Sequence, residues 1–66
     1  METLENLRKA QNLTLLDVAQ ELGYKYPSSY RKIETGEQKL KSDQILKLSS
    51  LFKVDDKKIL NSSYSK

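Results

Sequence analysis

The sequence predicts an all-α fold, one compact bundle of five short helices. Three observations predict it. No stretch alternates apolar and polar residues for long, and β-branched residues are few. Apolar residues recur instead three and four positions apart. Residues that start and stop helices fall between those runs: Thr3, Thr14, Pro27, Ser42 and Asp55 at starts, Gly23 and Gly36 at stops.

The first helix is expected from Leu4 to about Gln11. Thr3 can cap it, and Glu5 lies in the first turn, where the helix dipole favours negative charge. Leu4 and Leu7 share a face, and Leu13 follows in the connection. The second helix begins after Thr14, whose hydroxyl can accept from the amide of Asp17, the third helical residue. Val18, Ala19 and Leu22 form its inner stripe, and Gly23 suits the left-handed position that ends a helix. The third helix opens on Pro27, at the first helical position, where a missing N–H is no loss. Tyr26 is then its N-cap by position, with a side chain poorly suited to capping. Tyr30 and Ile33 point inward, and Ser28, Arg31 and Lys32 face largely outward. Gly36 stops this helix. A polar loop, 37–41, carries Leu40 inward. Ser42 is expected to cap the fourth helix, with Asp43 in its first turn. Ile45, Leu48 and Phe52 form the fourth helix's core stripe, and Leu46 and Leu51 lie off it. Asp55 caps a fifth helix from Asp56 to about Leu60, with Ile59 inside. The division expected is a domain over residues 1–60 and a polar, fraying tail over residues 61–66.

Composition narrows the chemistry. The chain has 66 residues, room for a single small core. It contains no cysteine and no histidine, so disulfides and thiolate or imidazole metal sites are out of reach, and the carboxylates do not cluster. No metal or cofactor is expected. The same absences leave no histidine or cysteine to serve as base or nucleophile, no carboxylate pair stands out, Ser28 and Ser29 lack an evident base, and no phosphate-cradling glycine loop is present, so an enzyme is not expected. There is no apolar run of about 20 residues for a membrane span and no signal-peptide core, so the expected location is the cytoplasm. Net charge is +3, and it is concentrated. Between Lys25 and Lys41 stand five basic side chains against two acidic ones, while the rest of the chain carries seven of each. A neutral scaffold with one basic segment points to a polyanion partner; the alternative is a set of lysines that are merely solvated.

Two short helices joined by a glycine-containing turn, Leu15–Leu22 and Pro27–Thr35, form the helix-turn-helix pattern. The ordered series of Leu7-Arg8, Leu13-Thr14, Val18-Ala19, Leu22-Gly23, Ile33-Glu34-Thr35-Gly36, Ile45, Leu48, Phe52-Lys53-Val54 and Ile59 resembles the phage-repressor and Cro-like helix-turn-helix family, often called the XRE family. The resemblance spans about Leu4 to Leu60. It implies a lambda-repressor-like DNA-binding domain whose third helix enters the major groove of double-stranded DNA as part of a homodimer. It also implies a structural ion pair between Arg8 and Glu34. Two departures stand out. Leu15 occupies the place where the family usually carries a glutamine that grips phosphate, so a clamp there leans on backbone amides. The segment from Gly23 to Glu34 is one residue longer than the commonest family pattern, with the extra residue within Tyr24-Lys25-Tyr26.

The resemblance assigns candidate base contacts to Ser28, Ser29, Arg31 and Lys32, near the start of a helix that just fits the groove. Candidate phosphate contacts are Thr14, Lys25, Tyr26, Lys39, Lys41 and Ser42. Tyr24 and Tyr26 can reach phosphate or pack the longer turn. Leu15, Leu16, Leu46, Leu51 and Tyr64 exceed what one small core needs, and some are candidates for a dimer surface. No small-molecule ligand is evident. Two functions compete: a sequence-specific regulator on a palindromic operator, and a protein-interaction module on the same scaffold, an anti-repressor or docking domain.

Overall fold

The structure is a computed structural model and describes residues 3–62. Its described residues form five helices and no strand: α1 (Leu4–Ala10), α2 (Leu15–Glu21), α3 (Pro27–Glu34), α4 (Ser42–Phe52) and α5 (Asp56–Ser62). The all-α reading and its helix order hold. The most extensive helix contact is α2 on α3; α5 packs on α4, and α1 also touches α4.

Local chemistry accounts for most boundaries. The Thr3 hydroxyl accepts from the Asn6 amide at 3.1 Å. At α2 the capping is reciprocal: Thr14 Oγ1 accepts from the Asp17 amide at 3.1 Å, and Asp17 Oδ2 accepts from the Thr14 amide at 2.9 Å. The bond from the Thr14 amide, and after it the one from the Thr14 hydroxyl, hold the Asp17 carboxyl below its ordinary pKa. Gly23, at φ +89°, ends α2; its amide donates to the Gln20 carbonyl at 3.0 Å and that of Tyr24 to Ala19 at 2.8 Å, the paired bonds of a Schellman stop. Gly36, at φ +85°, follows α3. Pro27 opens α3 without a side-chain cap from Tyr26.

The core gathers Leu4, Leu7, Val18, Ala19, Leu22, Tyr30, Ile33, Leu48, Phe52 and Ile59. Leu13, Leu15, Tyr24, Leu40, Ile45, Leu51 and Val54 pack half-buried against it. Arg8 lies within this packing. Its Nε donates to Glu34 Oε2 at 2.7 Å and its Nη1 to the Leu13 carbonyl at 2.8 Å, so one side chain ties α1 to α3 and to the α1–α2 connection.

Three expectations are corrected. Ser42 is not the cap of α4 but its first residue; Lys41 is the N-cap. With the boundary there, Gln44 becomes the third helical residue, and its Oε1 accepts from the Lys41 amide at 3.0 Å. A cap at Ser42 would put Ile45 in that place, with nothing to offer the amide. On the same helix Gln44 is buried and Ile45 only half-buried, where Ile45 was expected in the core stripe. Finally, α5 continues through Asn61 and Ser62, which were assigned to a fraying tail, and Ser62 is 2% exposed. Tyr64 and the rest of the expected tail, 63–66, lie outside the described residues.

Candidate nucleic-acid interface

Helix α3 is two-sided because Pro27 fixes where it begins and its apolar residues fix how it is turned. Tyr30 and Ile33 are fully buried, which anchors the rod; Ser28, Arg31 and Lys32 are exposed on the other side, and Ser29 is half-buried between. Glu34 closes the inner face through its bond to Arg8. The exposed side thus carries a hydroxyl and two cations and no carboxylate.

Lys25 and Tyr26 precede α3 in the longer turn, and both are exposed; Tyr26 keeps 67% of its surface. Lys39, Lys41 and Ser42 are exposed after it. The loop between is tied back to α3 by the bond from the Gln38 amide to the Lys32 carbonyl at 3.1 Å. Basic candidates therefore flank α3 on both sides in the chain. Thr14 is exposed at the start of α2. Its hydroxyl accepts from the Asp17 amide and also bonds the Asp17 carboxylate, so it is engaged within the cap. Two amides at this helix end, those of Thr14 and Asp17, are taken up by the cap, and the Asp17 carboxylate already stands there. A phosphate clamp on backbone amides would share that end with a negative charge.

Glu5 also approaches the α3 face. It pairs with Lys9 at 3.0 Å, and Arg31 shares with it a cleft lined further by Arg8, Leu15, Glu34 and Thr35. The hydrogen bond from Lys9 and its charge, joined by Arg8 and Arg31, hold the Glu5 carboxyl below its ordinary pKa.

Of the leucines considered for a dimer surface, Leu15 and Leu51 pack against the core, whereas Leu16 and Leu46 are exposed, at 42% and 59%. Leu60, at 51%, adds to the exposed apolar residues and was not singled out from sequence. Sequence reasoning also missed a polar cluster: Tyr24 Oη accepts from Gln44 Nε2 at 2.7 Å and from Gln38 Nε2 at 3.3 Å. No local signal marked it: the capping-box pattern calls for a serine or threonine at the cap, and Lys41 is neither.

Among the described residues no helix is long and apolar enough to cross a membrane. The family model described as helix-turn-helix matches residues 4–59, nearly the whole chain. No curated protein and no solved structure gives a significant match. With five helices in this order and a family match of that extent, the chain belongs to the XRE-type helix-turn-helix family, a family of DNA-binding transcription regulators.

Proposed function

We propose that this chain is a sequence-specific, double-stranded DNA-binding transcription regulator of the repressor or Cro-like kind, acting in the cytoplasm as a homodimer on a palindromic operator. The observation that carries the reading is the two-sidedness of α3: Tyr30 and Ile33 hold it by one face, and Ser28, Arg31 and Lys32 stand in solvent on the other. An α-helix fills the major groove, and small or cationic side chains near its start reach base edges there. Ser28, Ser29, Arg31 and Lys32 then contact bases or the phosphates beside them. Thr14, Lys25, Tyr26, Lys39, Lys41 and Ser42 grip the backbone. Exposed Leu16, Leu46 and Leu60 support a second copy as partner. Two-fold symmetry would set half-sites one helical turn apart, about 34 Å.

Selection from random duplexes with the purified protein, at two salt concentrations, tests this. Symmetric enriched sites and affinity falling steeply with salt are expected. On such a site Arg31→Ala is expected to weaken binding by about 1–3 kcal/mol with the fold intact. Binding no tighter to the enriched site than to random duplex would end the proposal. It would favour the interaction module, for which Leu15 and Asp17 at the start of α2 already speak.

A further inference from the structure

We propose that Tyr24 is a positioning residue for DNA binding: its hydroxyl, held between the side-chain amides of Gln38 and Gln44, fixes the loop that carries Lys39 and Lys41. This inference rests on the DNA reading above. Tyr24 lies in the turn that is one residue longer than the commonest family pattern. Its backbone closes α2 through the bond to Ala19, and its ring packs half-buried against the core, so the phenol is held at both ends. Gln44 is buried, and both ends of its amide are engaged: Oε1 takes the Lys41 amide, and Nε2 donates to Tyr24 at 2.7 Å. That fixes which way the amide points. Gln38 donates to the same phenol at 3.3 Å, while its backbone amide holds the end of α3 at Lys32.

The loop over 37–41 is thus fastened at two places, Gln38 and Lys41, and both fastenings lead to one oxygen atom. Removing that oxygen leaves the Gln44 amide hydrogen buried without an acceptor, so the segment must rearrange and not merely loosen. Lys39 and Lys41 are exposed on this segment. Holding them in place before DNA arrives removes an ordering cost from binding.

The test is a double-mutant cycle read by salt dependence on the selected operator. Tyr24→Phe is compared with wild type, and again in a Lys39→Ala/Lys41→Ala background; Gln38→Ala serves as a second variant that strands no buried amide. Each lost phosphate contact makes the slope of log K against log salt shallower by about one. The expected result is a slope shallower by about one to two for Tyr24→Phe, with little further change when both lysines are already absent. Gln38→Ala is expected to shift it in the same direction. An unchanged slope, or an equal effect of Tyr24→Phe in both backgrounds, would overturn the inference while leaving DNA binding intact. Wild-type binding that ignores salt would overturn the DNA reading and the inference with it.

Discussion

Arg8 and Glu34 meet at 2.7 Å with both side chains more than nine-tenths buried. Burial alone would pull the guanidinium pKa down; the hydrogen bond and the charge of Glu34 more than offset that and hold it above its ordinary value. Such a pair is costly to break because the survivor stays buried. Glu34→Ala is therefore expected to cost about 3–5 kcal/mol, comparable with the whole stability of a domain this size. Thermal unfolding checks it, and an unchanged melting temperature would refute it. Tyr30 lies beside this pair, fully buried, its hydroxyl without a hydrogen-bond partner of good geometry among the described residues. Burial, then the charge of Glu34, pushes the phenol pKa far up. The folded state thus keeps a proton that the unfolded chain releases above about pH 10, so stability is complete below that pH and falls as pH rises. Tyr30→Phe is expected to fold at neutral pH with similar stability and to lose less of it in alkali; equal alkaline losses in both proteins would contradict this. Arg8 and Glu34 were legible in the sequence through the family resemblance. Gln44 was not, since a glutamine among leucines reads as surface until a tertiary partner, here Tyr24, is known.

At the level of single helices, the legible boundaries were those set by a residue whose own chemistry makes the boundary: Thr3, Thr14 with Asp17, Pro27, Gly23 and Gly36. Two other stops lack a glycine: asparagine tolerates the left-handed region, though Asn12 was not singled out from sequence, and Lys53 carries no such signature. Asn12 and Lys53 both adopt φ +58°, and the following residues, Leu13 and Val54, donate back to Arg8 at 3.2 Å and Ser49 at 3.0 Å. A side chain at that φ costs about 1–2 kcal/mol, partly matched by the greater unfolded freedom of glycine. Lys53→Gly is thus expected to stabilise the fold by about 0.5–1 kcal/mol. A lower denaturation midpoint would show that the exposed lysine contributes something its backbone does not reveal. The far end of α5 was misjudged for a related reason: Ser62 is polar and near the terminus, but tertiary packing buries it. No local pattern carries that information.

The whole molecule combines a neutral scaffold with one basic segment running through α3 and the loop after it. The helix-turn-helix was legible because its turn and core residues are local and ordered; exposure of Leu16, Leu46 and Leu60 by itself names no partner and fixes no direction of approach. The central claim is that the exposed side of α3 meets the DNA. Amide chemical-shift mapping of the isotope-labelled chain, titrated with the selected duplex, tests it most directly. The largest shifts are expected over Ser28–Lys32 and Lys39–Lys41, with α5 nearly silent. Shifts confined to the surroundings of Leu46 and Leu60, with Ser28–Lys32 unmoved, would contradict it.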